Sequence, residues 1–370
     1  MNNNDKIYKL AALGVQQLIP YKAGKPIEEL ERELGLTQII KLASNENPLG
    51  PGKKALAAIQ EALPSLALYP DGSGFLLKKA LAKKYSIDEA QITLGNGSNE
   101  ILELVARAFL TTEHEVVFSQ HAFAVYPIVT QAIGAIAVVV PAVNYGHDLN
   151  AMINAITDKT RLVFIANPNN PTGTLLSQTC LEAFIGALPD TCVCVLDEAY
   201  FEFVTCVEAV NSIDWLKKYP NLLITRTFSK AYGLAGLRVG YGLSSPEMAD
   251  ILNRVRQPFN NNTLALVAAE AALNDAEHLQ QTISVNTLGM HQLTEGFKRL
   301  GLEWISSAGN FVLVDINKAA QPVYDALLRK GVIVRPVGNY ELPNHLRISI
   351  GTARENQQFL KALTEILADV

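Results

Sequence analysis

An excess of charge of either sign is missing from this chain. Its 31 Lys and Arg stand against 36 Asp and Glu, a formal net charge of -5 over 370 residues, with no block of like charge. A general field for nucleic acid is therefore excluded, and binding is expected to be local. Cysteine is scarce: Cys180, Cys192, Cys194 and Cys206 form no Cys-x-x-Cys pair, and the two closest alternate along an apolar stretch. They are expected to be buried thiols, which fits a reducing cytoplasm. His114, His121, His147, His278, His291 and His345 lack the close ligand spacing of a metal site. No run approaches the ~18 apolar residues of a membrane span. The start, Met1-Asn-Asn-Asn-Asp, has no charged-then-apolar signal pattern. Repeats and low-complexity stretches are absent too. The turn Gly95-x-Gly97 has Glu100 where a dinucleotide fingerprint needs its third glycine, which disfavours a nicotinamide cofactor.

What is present is a long, 49% apolar chain that exceeds the usual single core, so a large and a small domain are expected. Apolar stretches at 116–118, 135–140, 161–166, 192–196 and 222–225 alternate with helical patterns. Several are apolar throughout, as strands covered on both faces must be, and predict a mostly parallel α/β sheet. Before them come a helix with Ile27, Leu30 and Leu34 on one face stopped by Gly35, a short strand into Asn45-Glu-Asn-Pro48, and a helix over 53–63. A turn at 68–74 displays Tyr69, and the strand at 92–95 leads into a helix whose free first amides can hold an anion. From about 262 a helical region runs to about 300. Strands at 310–315, 332–335 and 346–350 follow, and Thr352-Ala-Arg-Glu355 reads as a capping box. The expected division is 1–50 as an N-terminal segment joining the small domain, 51–265 as the large domain, and 266–370 as a small α+β domain.

Polar residues cluster where the apolar strands stop, and in open α/β sheets ligands bind at those carboxyl ends. The stretch Thr225-Arg-Thr-Phe-Ser-Lys-Ala-Tyr-Gly-Leu-Ala-Gly-Leu-Arg-Val-Gly240 places Ser229 and Lys230 one turn beyond a strand. A lysine there can condense with an aldehyde if desolvation and nearby cations lower its pKa. Arg238 offers a planar fork suited to phosphate, and Gly233, Gly236 and Gly240 allow close approach. An aldehyde carrying a phosphate is pyridoxal phosphate. Asp197 ends a buried strand, where a carboxylate without a cation would cost several kcal/mol. A protonated pyridine is such a cation. Each residue also has an ordinary reading: a surface lysine, a helix cap or salt bridge at Asp197, a plain turn at Asn-Glu-Asn-Pro.

Asn167-Pro-Asn-Asn-Pro-Thr-Gly173, Asp197-Glu-Ala-Tyr200 and Ser229-Lys through Leu-Arg238, in this order, resemble the class II aminotransferases of fold type I. Lys41-Leu-Ala-Ser-Asn-Glu-Asn-Pro and Leu346-Arg-Ile-Ser-Ile-Gly-Thr extend the resemblance over nearly the whole chain. It is strongest to the members acting on histidinol phosphate. It implies a pyridoxal-phosphate-dependent fold with a mostly parallel central sheet flanked by helices and a smaller α+β domain. It also implies transamination of histidinol phosphate with 2-oxoglutarate. Carried over by motif, Lys230 condenses with the cofactor, Asp197 partners the pyridine nitrogen, and Asn170 and Tyr200 meet the ring oxygen. Ser98, Asn99, Ser229 and Arg238, assisted by Thr227, hold the phosphate. Phe123 takes the ring-stacking position, where the family often has tyrosine, and could equally be plain core. Tyr69 matches a residue reaching the cofactor phosphate of the neighbouring subunit, which implies a homodimer. Arg335, Arg347, Tyr21 and Asn47 match substrate positions, although Arg335 could be an ordinary strand-end arginine and Tyr21 an anchor. An aromatic amino-acid aminotransferase, a phosphothreonine-type decarboxylase and a non-catalytic pyridoxal-binding protein share parts of this pattern.

Overall fold

The structure, a computed structural model, describes residues 3–21, 24–205 and 211–368. Its strands are β1 (Ile40–Lys41), β2 (Ile92–Gly95), β3 (Glu115–Ser119), β4 (Ile136–Val140), β5 (Thr160–Ala166), β6 (Val193–Asp197) and β7 (Leu222–Thr227), then β8 (Gly240–Leu243), β9 (Trp304–Ile305), β10 (Phe311–Asp315), β11 (Val332–Ile333), β12 (Arg335–Val337) and β13 (Leu342–Ser349). Seven form the large sheet in the order β2-β8-β7-β6-β5-β3-β4. Within it β4, β3, β5, β6 and β7 are mutually parallel, and β8 runs antiparallel to both neighbours. β6 and β7 are buried along their whole length, as their apolar N-terminal halves require, and the polar ends Asp197 and Thr225-Arg-Thr227 are buried with them. β4 differs. It lies at the sheet edge with Ile136 and Val139 half exposed, so its apolar run is not covered on both faces.

β8 carries no apolar run, and Gly240-Tyr-Gly-Leu243 is not among the strands expected from the sequence. The glycines are demanded by packing: a Cβ on Gly240 would collide with the Ser98 nitrogen, and one on Gly242 would press on Ile101 and Leu223. The helix Ser98–Phe109 can therefore cross close over β8, burying Ile101, Leu102, Leu104 and Val105. Gly236, by contrast, faces open space and makes no close approach.

The smaller sheet has the order β12-β13-β10-β9, covered by the helices Ala320–Arg329 and Ala353–Ala368. The Thr352–Glu355 capping box is formed in both directions, by Thr352 N–H to Glu355 and Glu355 N–H to Thr352. β1 pairs parallel with β11 and Leu42 enters this core, so the N-terminal strand belongs here. The earlier helix Leu13–Gln16 instead packs on Val125–Ile133 of the large domain. The expected helical region is two helices, Thr263–Leu273 and Ala276–Arg299. The first buries Ala265, Ala268, Ala269 and Ala272 in the large core, so residues 266–273 pack with the large domain and not the small one. The second spans both, with Leu279 against the large core and Leu293 and Phe297 inside the small one.

Two expectations on cysteine separate. Cys192 and Cys194 are buried, and burial pushes the Cys192 thiol up to about 12 and that of Cys194 further up. Cys180 is exposed. Cys206 lies outside the described residues.

Candidate active site

A cavity of about 470 Å³ opens at the carboxyl ends of the large sheet and is closed from the other side by the small domain. Strand register decides what reaches it. β5 and β6 end level, with Ala166 beside Asp197, and Asp197 lies beside Thr225 of β7, which runs on to Thr227, so their loops converge. Thirteen of the residues singled out in the sequence line it: Ser98, Asn99, Phe123, Asn170, Asp197, Tyr200, Thr227, Ser229, Lys230 and Arg238 from the large domain, Arg335 and Arg347 from the small one, and Tyr21 from the N-terminal segment.

Lys230 donates from Nζ to the Ser44 carbonyl at 2.9 Å. Burial lowers its pKa to about 7; the Arg347 and Arg238 charges push the same way, and Glu46 and Asp197 oppose them. An amine with that value is half unprotonated near neutrality, which a surface lysine is not.

One end of the cavity is a cradle for an anion. The helix Ser98–Phe109 begins there, Arg238 reaches Ser229 Oγ at 3.3 Å, and the Ser229 N–H donates to Thr227 Oγ1 at 3.1 Å. A Cβ on Gly97 would occupy the place of the Arg238 guanidinium. Arg238 itself adopts φ +56°, a left-handed conformation unusual for a non-glycine residue, and this strain aims its side chain. Helix amides, two hydroxyls and a guanidinium fit a phosphate.

Asp197 is buried at the cavity floor, where desolvation raises its carboxyl above the usual range, against hydrogen bonds from Tyr126, Thr225 and Ala199. Tyr126 donates to Oδ2 at 2.9 Å, Thr225 to Oδ1 at 3.0 Å and the Ala199 N–H to Oδ1 at 3.2 Å. Tyr200 accepts from the Asn45 amide at 2.9 Å, which leaves its own proton for another acceptor; burial pushes that phenol up to about 12, so it stays protonated. Phe123 stands edge-on to Tyr126.

Arg347 donates from Nη1 to Asn170 at 2.5 Å and from Nη2 to the Ala43 carbonyl at 2.6 Å, while its buried Nε has no hydrogen-bond partner among the described residues. A buried donor left so is costly unless a ligand meets it. Arg335 lies beside it, register partner of Arg347 across β12 and β13, with its guanidinium 5.6 Å from the Tyr21 ring centre.

Two of the singled-out residues are not brought to this cavity. Tyr69 is 83% exposed, stacked on Phe259 at 4.9 Å on the outer surface. Asn47 is a correction: its amide donates to the Ala231 carbonyl and to Thr282, and its carbonyl accepts from Leu49, so its polar atoms are spent on the fold. Asn45, two residues earlier, lines the cavity instead.

Sequence reasoning missed Asn45, Thr225 and Tyr126, each a hydrogen-bonding partner of a singled-out residue. It also missed what lies beneath. Because side chains alternate along a strand, Glu198 and Arg226 point away from the face of Asp197 and Thr225. They form a buried ion pair, with Nε and Nη2 donating to one Glu198 oxygen at 2.9 and 2.7 Å. Alternation in a buried strand pair, with opposite charges directly beside two singled-out positions, Asp197 and Thr227, was the available signal.

Among known proteins, the chain matches the family Aminotransferase class I and II over residues 37–363. It is 60% identical to histidinol-phosphate aminotransferase 2 of Pseudomonas fluorescens (strain Pf0-1), over 97% of this chain and 98% of that one. It is 56% identical to histidinol-phosphate aminotransferase 1 of Idiomarina loihiensis, over 95% and 96%. The crystal structure of histidinol-phosphate aminotransferase from Sinorhizobium meliloti in complex with pyridoxal-5'-phosphate superposes with a TM-score of 0.91 at 32% identity, covering 97% of this chain and 98% of that one. Sheet order, strand-end loops and near-full-length similarity agree: the chain belongs to the class I and II aminotransferases, in their histidinol-phosphate aminotransferase family.

Proposed function

We propose that this chain transfers the amino group of L-histidinol phosphate to 2-oxoglutarate, with pyridoxal 5'-phosphate as cofactor, giving imidazole-acetol phosphate and L-glutamate in histidine biosynthesis. The observation that carries the substrate is the pair Arg335 and Arg347, with Tyr21, on the wall of the cavity that holds Lys230. A phosphate dianion calls for more than one charged donor, and the unpartnered Nε of Arg347 is a donor in waiting. Glutamate, with two anionic groups, can use the same pair.

The donor set fits the cofactor. Ser98, Asn99, Thr227, Ser229 and Arg238 would hold its phosphate, Asp197 its ring nitrogen, and Asn170 and Tyr200 its ring oxygen, with Phe123 against the ring face. When bound, pyridoxal phosphate supplies an aldehyde for amines and a ring that draws electrons from the substrate Cα. Lys230 would hold the aldehyde, and its amine, with a pKa of about 7, would be the base that takes the proton from the substrate Cα and later returns it. Asp197 would pair with the protonated ring nitrogen, and Tyr200, its phenol kept protonated by burial, would donate to the ring oxygen. Arg335, Arg347 and Tyr21 fix the far end of the substrate so that Cα lies beside Lys230.

The proposal includes a homodimer in which Tyr69 reaches the cavity of the second copy. Leu56, Leu63, Leu66, Leu68, Phe75 and Leu76 are at least 47% exposed in the same part of the chain, an apolar surface that a second copy would cover. It also places the chain in the cytoplasm, in keeping with free Cys180, Cys192 and Cys194. Among the described residues no helix is long and apolar enough to cross a membrane.

The test is a single half-reaction with histidinol phosphate, tyrosine and phosphothreonine offered separately, followed by the change in cofactor absorbance. Fast conversion with histidinol phosphate is expected. Preference for tyrosine would make the chain an aromatic aminotransferase, and loss of carbon dioxide from phosphothreonine a decarboxylase.

A further inference from the structure

The Asp197 carboxylate is held by hydroxyl groups from two other elements. Tyr126, at the start of the helix Val125–Ile133, donates to Oδ2, and Thr225 of β7 donates to Oδ1. Tyr126 is fully buried, its ring parallel to Phe164 at 4.6 Å and 4°. A phenylalanine would satisfy that packing equally well. A phenol in so dry a place costs free energy unless its hydroxyl is matched, and what matches it is the carboxylate. Burial, and then Asp197 itself, push the phenol's own ionisation well up, so Tyr126 remains a donor at every working pH.

We propose that Tyr126 is a positioning residue for the reaction: its hydroxyl fixes the orientation of Asp197 and keeps that carboxylate ionised, ready for the ring nitrogen of the cofactor. This rests on the assignment of Asp197 under the proposed function. The other titratable groups near Asp197 do not take the place of Tyr126: Glu198, the next residue, is a like charge on the opposite face, the Tyr200 proton is assigned to the ring oxygen of the cofactor, and Lys230 reaches to Ser44. Without the Tyr126 proton, Oδ2 loses a charge-assisted bond in a desolvated site, and the carboxyl takes up a proton more readily.

Tyr126→Phe keeps the ring and removes the donor. The cofactor is stripped and rebound, and its dissociation constant and visible spectrum are followed across pH, with Asp197→Asn alongside. Because binding needs the carboxylate, affinity falls as pH drops through the Asp197 pKa, and removing a donor moves that acid limb upward. Tyr126→Phe should weaken binding about tenfold and raise the limb by about one pH unit, the worth of one charge-assisted bond. Ring-fluorinated tyrosine at 126, a stronger donor of nearly the same shape, should move the limb the other way and covers the case of a misfolded Tyr126→Phe. If Asp197→Asn binds and absorbs like the parent, the assignment of Asp197 itself falls. If Asp197→Asn is impaired while Tyr126→Phe or the fluorinated protein keeps the parent's affinity and limb, the positioning role alone is overturned.

Discussion

Removing the guanidinium of Arg226 tests whether the buried charges beneath the site support the fold as the geometry implies. The side chains of Arg226 and Glu198 are 2% and 1% exposed, and the guanidinium lies 3.7 Å from the Phe201 ring centre and 5.0 Å from that of Tyr85. Glu202 turns a buried oxygen toward this cluster with no hydrogen-bond partner among the described residues, and burial raises its carboxyl against the pull of Arg226 and Lys84. Arg226→Met therefore leaves two buried carboxyl groups short of a cation and should cost about 3–5 kcal/mol, a large part of the ~5–15 kcal/mol typical of a folded domain. Glu198→Gln keeps an acceptor while Glu202 still offers charge, and should cost about 1–3 kcal/mol. The double variant should be more stable than the sum of the singles predicts, by at least about 1 kcal/mol. pH gives a second handle. A carboxyl whose folded pKa lies above its unfolded value binds more protons folded, so its stability contribution declines as pH rises from the unfolded pKa toward the folded one. Arg226→Met removes the charge that holds the Glu202 value down, raises it further, and should lose more stability at mildly alkaline than at mildly acidic pH. Urea unfolding at saturating cofactor, followed through buried Trp215, measures all of this. A cost for Arg226→Met under about 1 kcal/mol, or below that of Glu198→Gln, would refute the reasoning.

Three further outcomes are expected. Lys230→Ala should retain cofactor through the phosphate cradle while turnover falls by several orders of magnitude; in the parent, covalent capture of the aldehyde should rise with pH through about 7 as the amine loses its proton, measured by borohydride trapping and peptide mapping. Arg335→Ala should raise KM for histidinol phosphate about 10- to 150-fold, the worth of one or two kcal/mol-scale charge-assisted bonds, and that for tyrosine much less; an equal effect on both would remove the phosphate pocket. Mixing inactive Lys230→Ala with impaired Tyr69→Phe chains should restore part of the activity at hybrid interfaces, and strictly additive loss would mean each chain builds its own site.

What could be foreseen follows from the range over which each feature is determined. Buried parallel strands must be apolar, so β5, β6 and β7 show in the sequence, and the polar residues stopping them mark the cavity: Asp197, Ser229 and Lys230 are strand-end residues that no core explains. β8 was hidden because its requirement is an approach between segments some 140 positions apart, Gly240 against Ser98, which selects for lack of a side chain and not for apolarity. Tyr126 was hidden for the opposite reason. Its ring satisfies the pattern of a buried helix, and only the register of three elements shows that its hydroxyl meets Asp197.

Asn45 and Asn47 show where local reading fails even inside a recognised motif. Both belong to Asn-Glu-Asn-Pro, and composition ranks them equally as local hydrogen-bonding residues. The backbone at Asn45 is left-handed, φ +55°, which turns its amide to Tyr200 and its carbonyl oxygen to the Ser349 hydroxyl at 2.9 Å. Asn47 is left facing the Ala231 carbonyl and Thr282. The choice between them is thus made by β13 and the long helix Ala276–Arg299, hundreds of residues downstream. The motif supplies two candidate amides, and the docking of the small domain on the large one decides which of them serves the cavity.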